Sequence, residues 1–170
     1  MTTSPQQPVR VLFVCLGNIC RSPAAEGVFL DLLAREGLEE AFVVDSAGTA
    51  GWHTGKRADA RMREAAARRG IPLPSRARQL EAADLKAFDH VLTMDADNLA
   101  EVRRLAATHR LDAGHIRPLL THGSKAGSEE VPDPYYGGEE GFEHVLDLLE
   151  DACRGLLAEL RPASPQAESR

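Results

Sequence analysis

Short apolar runs and amphipathic stretches alternate along most of the 170-residue chain. Val9–Val14 is a brief, β-branched apolar run of the kind buried on both faces of a parallel sheet. Ala25, Val28, Phe29 and Leu32 then recur at helical spacing, with Pro23 suited to the first helical position and Gly37 to the stop. Phe42–Val44 predicts a second strand. Ala58–Arg69 predicts a polar, Arg-rich helix that Gly70 and Pro72 end. Phe88–Thr93 predicts a third strand, Asp95–Ala107 the helix after it, and His115–Leu119 a fourth strand. Phe142, Val145, Leu146, Leu149, Cys153, Leu156 and Leu160 then form the apolar stripe of a long amphipathic helix, with Cys153 in its core face.

This alternation predicts an α/β fold: a single three-layer domain with a mostly parallel sheet and helices on both faces. Its expected span is 9–161, between a polar, Pro-containing tail at 1–8 and a Ser- and Pro-rich tail at 162–170. In such folds ligands bind at the carboxyl ends of strands, where strand order reverses. The loop after the first strand is therefore the place to look for chemistry.

Composition narrows the function classes. A net charge of −6 argues against general binding to nucleic acid or to an anionic membrane, although a local cationic pocket remains compatible with it. No apolar stretch approaches the ~20 residues that cross a bilayer, and MTTSPQQPVR carries no apolar signal region. Three cysteines read as reduced thiols in a cytoplasmic setting, with export by a non-classical route left open. The Arg-rich segment from Lys56 to Arg78 reads mostly as a solvated helix face.

The first strand runs into VLFVCLGNICRSPA. Structural zinc needs four ligands; the third cysteine is the distant Cys153, and no two histidines stand at metal-binding spacing. The spacing of Cys15 and Cys20 is too long for a thioredoxin-like redox pair, and the terminal Gly-Lys of a nucleotide phosphate loop is absent. A cysteine, five residues and an arginine at a strand-to-helix junction instead suit a phosphate dianion. Such a loop can curl its N–H groups inward at the positive end of a helix. Gly17 can adopt φ > 0 and Asn18 tolerates it. Arg21 offers a planar fork to two phosphate oxygens. The same positive field favours the nucleophilic thiolate at Cys15, and Ser22 can donate a hydrogen bond to that sulfur. Attack on phosphorus also needs a proton donor. Asp133, held between Pro132 and Pro134 in VPDPYYGG, is the candidate, although an Asp in such a loop is more often a turn residue.

Taken with DSAGTAGWHTG, RGIPLPSRARQL, FDHVLTMDADN and DPYYGG, this loop resembles the low molecular weight protein tyrosine phosphatases of bacterial type, from about Val9 to Leu160. The resemblance implies a flavodoxin-like sheet of four parallel strands in the order 2-1-3-4. It also implies hydrolysis of phosphotyrosine in proteins without metal or cofactor. In that scheme Cys15 is the nucleophile and forms a phosphocysteine, Arg21 binds the phosphoryl oxygens, and Asp133 is general acid and then base. Leu16, Gly17, Asn18, Ile19 and Cys20 complete the phosphate-binding loop. Ser22, Ser46 and Ser75 support it, and Asp95 carries local structure nearby. Trp52, His53, Tyr135 and Tyr136 form the substrate rim. Ser75 stands where some members have histidine, which implies a shorter or water-bridged support for Asn18. Cys20 would trap an oxidised Cys15 as a disulfide. The partners implied are tyrosine-phosphorylated proteins, with a kinase acting on Tyr135 or Tyr136 a further candidate, and the chain is expected to be a monomer or weak dimer.

Two related chemistries fit less well. Thioredoxin-coupled arsenate reductases need relay cysteines in mid-chain, and none lies between Cys20 and Cys153. Protein-arginine phosphatases tend to carry threonine where this chain has Ile19.

Overall fold

The computed structural model, which describes residues 7–124, 130–135 and 137–162, sets four parallel strands side by side. They are β1 (Val9–Cys15), β2 (Phe42–Gly48), β3 (His90–Thr93) and β4 (Ile116–Pro118), in the spatial order β2-β1-β3-β4. The described helices are α1 (Arg21–Glu36), α2 (Ala60–Ala67), α3 (Ala82–Ala87), α4 (Ala96–Thr108) and α5 (Glu139–Leu160). Short 3₁₀ turns occupy Glu39–Ala41 and Leu119–His122. The outer parts of the expected tails, 1–6 and 163–170, lie outside the described residues.

The expected three layers follow from the alternation of side chains along β1. Val11, Phe13 and Cys15 join one buried cluster with residues of α1, α2 and α5. Leu12 and Val14 face the opposite cluster, with Leu85, Val91, Val102 and Ala106 of α3, β3 and α4. On the first side Phe13, Phe29 and Phe42 pack edge to face, with ring centres 5.8 and 5.5 Å apart. Every residue from Val11 to Cys15 is buried, so the end of β1 is held from both faces.

The differences from expectation lie where polar chemistry interrupts the pattern. Helix α1 starts at Arg21, which makes Pro23 its third residue instead of its first. Proline is tolerated there because the first N–H groups of a helix have no intrahelical partner. Strand β2 runs past Val44 to Gly48 and stays in register with β1 to the pair Cys15 and Gly48. The Arg-rich helix is shorter than its sequence pattern. Asp59 caps it by accepting from the Arg61 N–H at 2.8 Å, and it ends before Gly70, whose φ of 76° stops it.

Nor is that Arg-rich segment a freely solvated face. Arg68 and Arg69 pair with Glu143 on α5, and Arg69 also reaches Asp147 and Glu150. Arg78 is held by Asp45 and Asp84, and Arg61 by Asp59. The nearby Asp59 and Asp84 account for part of this, and Asp45, Glu143, Asp147 and Glu150, brought in from distant parts of the chain, for the rest, which helical period alone does not reveal.

Candidate active site

Strand order reverses between β1 and β3, and the loop after β1 opens at that crevice. The chain leaving β2 folds against this loop. Thr49 N donates to the Cys15 carbonyl and Ala50 N to that of Leu16, each at 2.9 Å. Gly48 allows the approach: a Cβ there would lie 2.8 Å from the Leu16 carbonyl oxygen. With those carbonyls engaged, the Asn18 N–H donates to Cys15 Sγ at 3.3 Å. Among the described residues no carbonyl takes the N–H groups of Gly17, Ile19 or Cys20. They lie at the start of α1, whose first turn contains no acidic residue to offset the positive helix end.

The left-handed turn belongs to Asn18, at φ 57°, and Gly17 does not have positive φ. Gly17 is small for another reason, since a Cβ would sit 2.9 Å from His53 Cδ2. The imidazole closes over it.

The three predicted serines come together behind the loop. Ser22 Oγ lies 3.0 Å from Cys15 Sγ. The Asn18 amide donates to Ser22 Oγ at 2.7 Å and to Ser46 Oγ at 3.0 Å, and its carbonyl accepts the Arg78 N–H at 3.0 Å. Ser46 in turn donates to Glu26 at 2.6 Å, and Ser75 stands near enough to that carboxylate to favour its charged form. Asn18 is therefore held by direct bonds to Ser22 and Ser46, and behind Ser46 stands Glu26, a residue the sequence reading missed. Burial raises the pKa of Glu26, and this outweighs the opposing effect of the two serines. A signal for Glu26 was present: it stands one helical turn after Ser22, inside a buried stripe.

Arg21 is buried, and its Nη1 donates to Asp95 at 2.5 Å and to the Val131 carbonyl at 3.1 Å. Burial opposes the guanidinium charge, but Cys15, Asp95 and Asp133 together hold its pKa above the ordinary value. Asp95 also caps α4 through the Asn98 N–H, which joins its expected structural role to the arginine. Asp133 lies at the mouth, 3.6 Å from Arg21 Nη2, and its Oδ1 accepts the Tyr135 N–H at 3.0 Å.

A cleft of about 210 Å³ results. Cys15, Leu16, Gly17, Ile19, Cys20 and Arg21 line its floor, and Trp52, His53, Asp133 and Tyr135 its walls. Trp52 is exposed at the rim, and the His53 and Tyr135 rings face each other at 6.5 Å. Tyr136 lies outside the described residues. Burial pushes the Cys20 thiol far above its ordinary value, with Asp59, Cys15 and Asp133 adding to the effect. Cys153 is buried in the core as expected. Among the described residues no three His, Cys, Asp or Glu side chains are grouped to hold a metal ion, and no helix is long and apolar enough to cross a membrane. The arrangement sets a sulfur at the floor, a guanidinium beside it and a carboxyl at the mouth, the geometry for displacement at a phosphoryl group.

Comparison with known proteins agrees with this geometry. Residues 10–166 match the family described as low molecular weight phosphotyrosine protein phosphatase. A low molecular weight protein-tyrosine-phosphatase of Streptomyces coelicolor is 46% identical over 154 residues, covering 89% of this chain and 93% of that protein. The crystal structure of YfkJ from Bacillus subtilis superposes with a TM-score of 0.86 at 40% identity, over 98% of this chain and all of that one. A protein tyrosine phosphatase from Entamoeba histolytica, with Hepes in its active site, gives 0.83 at 42% identity, over 89% and 96%.

Proposed function

Since the chain belongs to the low molecular weight phosphotyrosine protein phosphatase family, we propose that Cys15, Arg21 and Asp133 carry out its hydrolysis of phosphotyrosine. The observation that carries this assignment is the placement of Cys15 Sγ against the Asn18 N–H and Ser22 Oγ, in one cleft with Arg21 and the Asp133 carboxyl 3.6 Å from that guanidinium. The Cys15 thiolate attacks phosphorus as the bond to the phenolic oxygen breaks. Asp133 gives its proton to that oxygen, and phosphocysteine forms. Water then attacks phosphorus and passes a proton to Asp133, the sulfur–phosphorus bond breaks, and phosphate leaves with the thiolate restored. Arg21 and the free N–H groups of the loop bind the phosphoryl oxygens throughout. Ser22 supports the departing sulfur, while Ser46 holds Asn18 in place and is itself oriented by Glu26, with Ser75 beside that carboxylate.

Trp52, His53 and Tyr135 form the rim that receives the aromatic ring, and Cys20 is the thiol that traps an oxidised Cys15. This reading also takes the protein as cytoplasmic and as a monomer or weak dimer, with Tyr135 or Tyr136 as a kinase acceptor. The test is hydrolysis of p-nitrophenyl phosphate, inhibited by vanadate and near abolished in Cys15→Ser. Asp133→Asn should lose most activity with esters of poor leaving groups, which need the proton. Faster turnover of phosphoarginine than of phosphotyrosine would overturn the substrate reading.

A further inference from the structure

One side chain of α2, Arg61, joins the helix cap to the segment that carries Asp133. Asp59, which caps the helix, donates its N–H to the Ile19 carbonyl at 2.7 Å and so ties α2 to the phosphate loop. Its carboxylate accepts from Arg61 Nε at 3.2 Å and Nη2 at 3.1 Å. The same Nη2 donates to the Tyr135 carbonyl at 2.9 Å. The guanidinium carbon lies 5.4 Å from the centre of the Tyr135 ring and 4.8 Å from that of Phe142, at the start of α5.

Asp133 sits midway along a five-residue span, 131–135. Its first end is fixed, because Val131 N donates to the Met94 carbonyl at 2.7 Å and Val131 O accepts from Arg21. Pro132 and Pro134 stiffen the span but do not fix where its second end lies relative to the phosphate loop. Arg61 meets that end at the Tyr135 carbonyl, the His53 ring lies against the Tyr135 ring, and Tyr135 donates the hydrogen bond that Asp133 Oδ1 accepts.

We infer that Arg61 is a positioning residue, bracing the Asp133 span against the phosphate loop so that the carboxyl meets the leaving oxygen. The inference rests on the reading of Asp133 as general acid. The planar fork is the useful property, because a single group bonds the Asp59 carboxylate and the Tyr135 carbonyl and still lies over two rings. A lysine keeps the charge but not this span. The Arg61 side chain is 45% exposed and that of Asp59 only 11%, so water screens the pair from one side alone. The melting temperature is therefore read beside the kinetics, which keeps any loss of stability apart from the chemistry.

The experiment compares kcat/KM for phenyl phosphate, a poor leaving group, and p-nitrophenyl phosphate, a good one, in Arg61→Met, Arg61→Lys, Asp133→Asn and the Arg61→Met/Asp133→Asn double variant. Arg61→Met should lose ~10-fold on phenyl phosphate and no more than ~2-fold on p-nitrophenyl phosphate, a part of the 10²–10⁴ that general acid catalysis supplies. Arg61→Lys should recover little of that loss. On the Asp133→Asn background Arg61→Met should add nothing, and its melting temperature should stay within ~2 °C of wild type. Equal losses on the two esters, full additivity in the double variant, or rescue by lysine would overturn the brace. If Asp133→Asn itself fails to discriminate between the esters, the reading of Asp133 falls, and the brace with it.

Discussion

Asn18 adopts a left-handed backbone that costs ~1 kcal/mol for a residue with a Cβ. It is held there because its N–H and both ends of its side-chain amide are engaged, by Cys15, Ser22, Ser46 and the Arg78 N–H. Glu26 stands behind this arrangement as a buried carboxylate that orients Ser46 without approaching the cleft. Because burial raises its pKa, the fold favours its protonated form. That preference contributes stability below the ordinary glutamate value and is lost as pH rises through the raised one. Glu26→Gln keeps an oxygen that accepts from Ser46 and carries no charge at any pH. The variant should therefore melt higher than wild type at pH 8, with a gain that shrinks as pH falls toward 4, and should keep phosphatase activity within ~3-fold. Thermal scans at both pH values check this. An equal gain at each would mean that Glu26 titrates alike in the folded and unfolded chain.

Among the elements, α1 and α5 show that a glycine can be required for two unrelated reasons. Gly37 ends α1 with φ 68°, and a Cβ there would meet nothing within 4 Å, so only the backbone conformation demands it. Gly155 lies inside α5, where a Cβ would fall 1.7 Å from the His122 carbonyl oxygen of the neighbouring 3₁₀ turn. Alanine at Gly37 should cost ~1 kcal/mol. At Gly155 the ~1 kcal/mol gained in helix propensity is overwhelmed by a backbone clash, with a net loss of ~3 kcal/mol or more. Urea unfolding of both variants measures the ratio, and equal losses would refute the close approach of α5 to this turn. Strand β1 was legible as a continuous apolar run, α1 and α4 from their apolar period with Gly37 and Asp95 at their ends, and α5 from the length of its apolar stripe alone. The end of β2 was not, since Asp45 and Ser46 are the polar groups that serve Arg78 and Asn18. Helix α3, with six residues, is too short for a period to show. At the site, the loop residues Cys15, Arg21 and Ser22 stood out by residue type and spacing, whereas Asp133 looked like a turn residue until the resemblance singled it out, and the cleft includes it. Glu26 and Arg61 act through partners that only the fold supplies.

At the scale of the molecule, the site gathers the β1 loop, β2, the start of α2, the cap of α4 and the 131–135 span, so that an anion held there links segments far apart in the chain. Anything that binds the folded chain alone stabilises the whole of it, by ~2.7 kcal/mol at a hundred times its dissociation constant. For a chain of this length that corresponds to a rise of roughly 5–10 °C in melting temperature with inorganic phosphate. Arg21 is the group on which this linkage should depend, since its Nη1 already binds Asp95 and Val131 while its Nη2 lies toward Asp133 in the cleft. Arg21→Lys retains a positive charge near Asp95 but loses the fork. The variant should melt a few degrees lower without ligand, and the rise at the same phosphate concentration should fall below ~2 °C. Differential scanning calorimetry with and without phosphate separates the two effects. An undiminished rise in Arg21→Lys would place the stabilising anion somewhere other than the loop between β1 and α1.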